Sequence, residues 1–259
     1  AAGKQVVLLS SSIISPSTKA VIDAFAAKYN AKHVTYDALS ASAMLDANEE
    51  SFGVRALPTY HFDQADVVVS FAADFIGDWL DAGHGKGYAA KRNPNAAPMS
   101  RHYQFESNLS LTGANADYRT PVKASEMGVA LVNLYNLIAK KAGARTVKVA
   151  VSDYSTQLQK VANDLWKAKG KSLVVAGGND KNIHLVVNAI NDLLSNHGAT
   201  IDFTKRSNLK QGNDADVATL LKDMKAGKVG ALIAYNANPV YNLAQGTAFA
   251  EALSKVDLS

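Results

Sequence analysis

The 259-residue chain contains no cysteine and only six prolines. The lack of cysteine excludes a disulfide framework, a thiolate zinc site, a cysteine-ligated iron–sulfur cluster and a cysteine nucleophile within this chain. No apolar run approaches the roughly 20 residues that a membrane-spanning helix needs. The longest runs, Val67–Phe71 and Leu173–Ala176, have the length of strands. We therefore expect a globular chain that is not inserted in a membrane.

Charge of either sign is sparse and evenly matched. The chain has 27 basic and 23 acidic residues, a net charge of +4. The densest basic runs are short and scattered, which favours solvated helix ends over a phosphate-binding face. We therefore expect no nucleic-acid partner.

The sequence also shows no signal peptide, and its abrupt ends suggest a fragment of a longer or processed chain.

Signals for metal binding and nucleophilic catalysis are also lacking. The six histidines have neither HxxxH nor HExxH spacing, so we expect no metal site. The run Ser10-Ser11-Ser12 lacks the GxSxG elbow of a serine nucleophile, and no histidine or aspartate can be assigned to it as a partner. We expect no catalytic residue in this chain.

The sequence does contain a regular alternation of strand and helix patterns. Apolar runs of strand length are separated by segments with helical periodicity, as in parallel α/β sheets. Ser15 and Pro16 predict the first helix start, and Gly143 predicts the end of a helix over Ser125–Lys141. The predicted strands are Gln5–Ser10, His33–Tyr36, Ala65–Phe71, Tyr103–Glu106, Ser172–Ala176, Thr200–Phe203 and Val229–Tyr235.

Two pairs of strand segments recur at a nearly constant offset. Val6–Ser12 is similar to Leu173–Gly178, and Asp66–Phe75 is similar to Gly230–Pro239. This pattern predicts an α/β fold of two Rossmann-like parallel-sheet domains related by an internal duplication, at residues 1–145 and 146–259. Chance similarity between apolar strands is the alternative interpretation.

Ligands of parallel α/β sheets bind beyond the carboxyl ends of the strands, so the loops there are candidate sites. Gly177 and Gly178 could present backbone amides to an anion, or form a tight turn. Asn236 and Asn238 could bind a nucleobase or ribose, or serve as turn residues. Glu106 could accept a ribose hydroxyl, or take part in capping.

These loops resemble the molybdopterin oxidoreductase family. The resemblance lies in Ala65–Phe75, in Glu106–Glu126 with the helix that follows, and in the strand ending at Asn236–Pro239. Arg101–Arg119, Ser10–Phe25 and Tyr235–Asn242 are similar to one branch, the large iron–sulfur subunit of bacterial alternative complex III, a quinol:cytochrome c oxidoreductase. Two departures stand out: Glu106-Ser107-Asn108 replaces Asp-Pro-Arg, and Asn236 stands where glycine is usual.

The resemblance implies a structural part of a respiratory complex at the periplasmic face of the membrane, without catalytic activity of its own. It implies iron–sulfur clusters elsewhere in the parent subunit, a lost molybdopterin, and partners among the other subunits. The residues that it marks as vestigial cofactor contacts are Gly177, Gly178, Glu106, Thr112, Asn236 and Asn238.

Two alternative functions are compatible with the same sequence. One is the pterin-dinucleotide-binding part of an active molybdenum oxidoreductase. The other is a two-lobed small-molecule binding protein, in which Trp79 and Tyr241 would stack on the ligand.

Overall fold

A computed structural model describes residues 3–95 and 98–259, which form two compact units. Unit 1 combines the chain up to Ser42 with Asn208–Ser259, and unit 2 is Ala43–Ser207. Each sheet takes all of its strands from one unit. Unit 1 is therefore discontinuous in sequence, and unit 2 is a single stretch of chain.

Unit 1 is built on a three-stranded parallel sheet in the order β2-β1-β9. Its buried core combines one face of this sheet with the helices α8 and α10. The elements of unit 1 are β1 (Gln5–Ser10), α1 (Pro16–Tyr29), β2 (Lys32–Thr35), α8 (Asp214–Lys225), β9 (Val229–Tyr235), α9 (Pro239–Asn242) and α10 (Gly246–Leu253).

Helix α1 shows how local sequence fixes an element boundary. Ser15 has an extended backbone, and its hydroxyl accepts a hydrogen bond from the Thr18 amide. Pro16 follows at the first helical position, where its missing N–H costs nothing. The helix ends at Asn30, which takes the left-handed conformation with φ of 48°. Both predicted features of the helix start are confirmed.

Unit 2 is built on a four-stranded parallel sheet in the order β6-β5-β4-β7, with a separate antiparallel pair β3-β8. The helices α5, α6 and α7 share a buried core with the parallel sheet. The elements are α2 (Ser42–Phe52, whose first residue is counted to unit 1), β3 (Leu57–Tyr60), β4 (Val67–Phe71), α3 (His84–Ala90), β5 (Arg101–Glu106), α4 (Leu111–Ala114), β6 (Tyr118–Pro121), α5 (Met127–Ala142), α6 (Ser155–Lys167), β7 (Ser172–Ala176), α7 (Lys181–Leu193) and β8 (Ile201–Ser207). Short 3₁₀ turns cover Phe62–Gln64 and Ala124–Glu126.

The predicted α/β class with Rossmann-like parallel sheets is confirmed. The compact units do not follow the predicted boundary between residues 145 and 146, because β9 returns to pair with β1. The internal duplication is not shown. In the first similar pair, β1 lies in unit 1 and β7 in unit 2. In the second pair, β4 lies in unit 2 and β9 in unit 1. Within each unit, β1 neighbours β9 and β4 neighbours β7.

Within the described residues, no helix is both long and apolar enough to cross a membrane.

Candidate functional site

Glu106 is a buried carboxylate whose oxygens are fully engaged by neighbouring side chains. The residue is 3% exposed at the end of β5. It accepts hydrogen bonds from Ser110 Oγ at 2.6 Å, from Gln104 Nε2 at 3.0 Å and from Arg119 Nε. Burial alone would raise the pKa of Glu106, but the bonds from Ser110 and Arg119 outweigh it and lower the pKa. The carboxylate is therefore charged and internally paired.

The backbone of Gly113 packs directly against the Glu106 carboxylate, where there is no room for a side chain. A Cβ at this position would lie 1.9 Å from Glu106 Oε1. Nearby, Thr112 Oγ1 accepts a hydrogen bond from the Ile76 amide, and the Thr112 amide donates to Asp74 Oδ1, both at 2.9 Å. Thr112 thus ties the loop after β4 to the loop after β5, and the polar side-chain atoms of both Glu106 and Thr112 face protein partners.

Gly177 and Gly178 form a tight turn between β7 and α7. A Cβ on Gly177 would lie 2.2 Å from the carbonyl oxygen of Ala72, and Gly178 has φ of +84°. The Asp180 carboxylate caps α7 by accepting from the Asn182 amide at 2.8 Å. A carboxylate at a helix N-terminus repels an anion, so the geometry favours the turn interpretation.

Asn236 and Asn238 also have structural partners, in unit 1. Asn236 adopts φ of 50°, and its Nδ2 donates to Ser11 Oγ at 3.0 Å. Asn238 accepts from the Tyr241 amide at 3.3 Å, which caps α9. The turn interpretation accounts for the side-chain contacts of both residues.

Ser10 has a histidine partner that sequence reasoning did not assign. Its Oγ lies 2.8 Å from His33 Nε2 on the neighbouring strand. Ser10 is fully buried, however, and its hydroxyl donates to the Ser11 carbonyl at 2.7 Å. A buried hydroxyl engaged in this way does not serve as a nucleophile. Among the residues the structure describes, no three histidine or acidic side chains form a potential metal site.

The strongest candidate site is a cleft at the carboxyl edge of the unit 1 sheet, which we call the Tyr36 cleft. It has a volume of about 440 Å³. The loop after β2, the first half of α8 and the segment between α9 and α10 form its walls. The lining residues are Tyr36, Asp37, Ala38, Ser40, Asp214, Val217, Ala218, Leu221, Asn242, Leu243, Ala244 and Gln245.

Tyr36 is one of the residues that line this cleft, and its side chain carries a buried polar atom without a partner in the described part of the chain. The residue is 5% exposed, and its hydroxyl has no hydrogen-bond partner among the described residues. Burial, and after it the charges of Asp214 and Asp37, raise the pKa of Tyr36 above its ordinary value. The hydroxyl is therefore protonated at neutral pH and is a hydrogen-bond donor without an acceptor.

Asp37 fixes the shape of the cleft. Its carboxylate accepts from Ser12 Oγ at 2.7 Å, from the Gly212 amide at 2.8 Å and from the Gln211 amide at 3.1 Å. A Cβ on Gly212 would lie 3.0 Å from Asp37 Oδ2 and 3.1 Å from the Asp37 amide nitrogen, so a larger residue here would require Asp37 to shift by a few tenths of an ångström. The loops after β1 and β2 and the segment before α8 are thereby held together.

No sequence motif identifies the Tyr36 cleft. Tyr36 is recognisable only as the last residue of a predicted strand and Asp37 as the residue that follows it. The second wall of the cleft comes from residues 214–245. The position of these two residues at the end of a strand is the one feature that could have indicated the cleft, because ligands of parallel sheets bind beyond the carboxyl ends of the strands. The loop after β2 was not among the segments singled out by that rule.

Comparison with known proteins supports no family assignment. No protein-family model matches the chain, and no curated protein matches it. A solved structure with a similar chain is the formyltransferase/hydrolase complex FhcABCD from Methylorubrum extorquens in complex with methylofuran. The two chains are 14% identical with a TM-score of 0.49, over 98% of this chain and 58% of that one. A likeness at this level carries no inference about activity.

These comparisons correct the predicted identity. The assignment to the molybdopterin oxidoreductase family and to alternative complex III is wrong: no family model and no curated protein supports it. The respiratory function falls with it, and so does the alternative of a pterin-dinucleotide-binding part of an active molybdenum oxidoreductase. The absence of a cofactor and the periplasmic location stay predictions.

Proposed function

We propose that unit 1 is a binding module for a small molecule, which it holds in the Tyr36 cleft. The observation that carries this proposal is the unpaired hydroxyl of Tyr36, buried at the wall of a cleft of about 440 Å³. A buried donor without a partner costs free energy, and a ligand acceptor placed against it removes that cost. The volume lies within the ordinary range of ligand sites.

The lining of the cleft selects the class of ligand. Val217, Leu221 and Leu243 supply apolar walls. Asp37 and Asp214 place two carboxylates at the cleft, and none of the lining residues is basic. An anionic ligand would be repelled, and a cation would be attracted. The ligand is therefore an apolar body that carries a hydrogen-bond acceptor and a neutral or cationic group.

Three indole compounds of similar size and different charge test this class. Tryptamine is cationic, tryptophol is neutral and indole-3-acetate is anionic. We expect millimolar tryptamine and tryptophol to shift the amide resonances of residues 36–40 and 214–221, with tryptamine the tighter. Indole-3-acetate should bind at least tenfold more weakly, because its carboxylate faces Asp37 and Asp214.

An Ala218→Trp variant controls for binding elsewhere on the chain. Ala218 is an exposed residue on the cleft wall, so the indole of the new tryptophan fills the cleft without disturbing the buried core. The variant should remain folded and lose the tryptamine shifts. Tightest binding by indole-3-acetate, or no binding by any of the three probes, would overturn the proposal.

A further inference from the structure

A basic and apolar surface lies at the end of α5 and on the segment that follows it. We call it the 140–151 surface, and it comprises Lys140, Lys141, Arg145, Val147, Lys148 and Val151. All six side chains are exposed, and Val147 and Val151 are exposed by 53% and 83%. The four cations form no ion pair with a described residue. The sequence contains no acidic residue between Glu126 and Asp153, so every charged side chain in this stretch is positive.

Side chains of α5 hold the backbone of this segment in place. Asn136 makes two hydrogen bonds with the backbone of Val147. Its Nδ2 donates to the Val147 carbonyl and its Oδ1 accepts from the Val147 amide, at 2.8 Å each. Asn133 Nδ2 donates to the Ala150 carbonyl at 2.8 Å, and Tyr135 Oη donates to the Arg145 carbonyl at 3.0 Å. The segment is therefore ordered along α5 by the side chains of three residues.

The segment is nevertheless outside any helix or strand. No described residue makes a hydrogen bond to the backbone amide or carbonyl of Lys148 or Val149. Residues 146–151 read TVKVAV, in which β-branched residues recur with the alternation of a strand. Ordered backbone groups without partners, beside exposed valines, are the features that allow another strand to pair with an edge.

We propose that the 140–151 surface binds an extended acidic segment of a partner protein by strand pairing. The four cations attract carboxylates, and the valines contact apolar side chains at alternate positions of the added strand. A membrane surface fits less well, because the unpaired amides would be left without partners in hydrocarbon. A nucleic acid fits less well, because the surface has valines in place of aromatic side chains for base stacking.

Binding of a defined peptide to the full chain tests this inference. The probe is an acetylated, amidated peptide of alternating glutamate and valine, and its lysine–valine counterpart is the charge control. We expect only the glutamate peptide to bind, with loss of affinity in high salt and protection of the Val149 amide from hydrogen exchange.

Two triple variants with the same change in net charge separate the surface from the overall charge. Lys140→Glu/Arg145→Glu/Lys148→Glu should weaken binding of the glutamate peptide about tenfold or more. Lys28→Glu/Lys222→Glu/Lys255→Glu changes exposed cations of unit 1 and should leave binding unaltered. A Val147→Ser/Val151→Ser variant should also weaken binding, since it removes the apolar contacts.

Three outcomes would overturn the inference. They are equal binding of the lysine peptide, equal loss in both triple variants, and binding to phosphatidylserine vesicles or to a DNA duplex in place of the glutamate peptide. The tryptamine shifts at residues 36–40 report on the Tyr36 cleft in the same samples, so the two proposals can fail separately.

Discussion

At the residue scale, Glu106 and Tyr36 are both buried polar side chains, and they differ in whether their polar atoms have partners. Glu106 accepts hydrogen bonds from the side chains of Ser110, Gln104 and Arg119, whereas the Tyr36 hydroxyl has no partner among the described residues. A satisfied buried group stabilises the fold, and an unsatisfied one costs free energy. We therefore assign Glu106 to structure and Tyr36 to binding.

Replacement of Glu106 should damage stability. Glu106→Ala removes the acceptor of three buried or half-buried side-chain donors and of the Ser110 amide. It also leaves the Arg119 guanidinium without its partner, and we expect a cost of about 3 kcal/mol in the free energy of unfolding. Glu106→Gln keeps some acceptor capacity and should cost less. Urea denaturation of both variants measures this order. Equal stability of Glu106→Ala and the unmodified chain would contradict the structural role.

His102 should make the stability of unit 2 depend on pH. Burial lowers the pKa of His102 to about 4, and Gln104, bonded to its Nε2, opposes this only in part. The unfolded chain binds a proton near pH 6.5 that the folded chain binds only near pH 4. Stability is therefore complete above pH 6.5 and falls as the pH drops through this window, by about 3 kcal/mol.

The measurement is the free energy of unfolding between pH 7 and pH 4.5. A His102→Gln variant cannot take up the proton, so its stability should fall less over the same range. Parallel profiles for the variant and the unmodified chain would show that His102 does not carry the effect.

At the element scale, the structure shows which patterns in a sequence fix local structure. The continuous apolar runs of β1, β7 and β9 predicted those strands with the bounds that the structure has. β7 is buried throughout and β1 is buried from Val7 to Ser10, whereas the last three residues of β9 are exposed, so it was the continuous apolar run and not full burial that marked these strands. The short strands β3 and β6 were missed, because half-exposed strands of four residues have little apolar patterning.

The segment after α5 provides a prediction at this scale. Asn136 supplies both hydrogen bonds that hold Val147, so Asn136→Ala should release the segment while α5 stays folded. Hydrogen exchange at the Val147 amide should accelerate by about tenfold or more, since one side-chain hydrogen bond and the order it imposes are lost. Exchange in the interior of α5 should stay unchanged. An unaltered rate at Val147 would mean that Asn136 does not order the segment.

At the scale of the whole molecule, the division into units could not be read from the sequence. Unit 1 closes only when β9 pairs with β1 across more than two hundred residues of chain, and pairing at that separation has no local signal. The Tyr36 cleft was hidden for the same reason, because its two walls come from segments far apart in sequence. Strand and helix patterns could be predicted, and the partners of each strand could not.

Unit 2 should fold when produced without unit 1. Residues 43–207 contain every strand of the sheet β6-β5-β4-β7 and the whole core that α5, α6 and α7 form with it. We expect this stretch to give a dispersed amide spectrum and a cooperative unfolding transition. A collapsed spectrum would show that the unit needs the remaining chain for stability.

The most direct test of the account is the Tyr36→Phe variant, measured for both stability and tryptamine binding. Removal of an unpaired buried hydroxyl should leave the free energy of unfolding unchanged or raise it by about 1 kcal/mol, and should weaken tryptamine binding several-fold. Tyr29→Phe, at a tyrosine that is 52% exposed and outside the cleft, is the matched control and should change neither quantity. A destabilised Tyr36→Phe variant that binds tryptamine as tightly as the unmodified chain would contradict the assignment of this hydroxyl to a ligand.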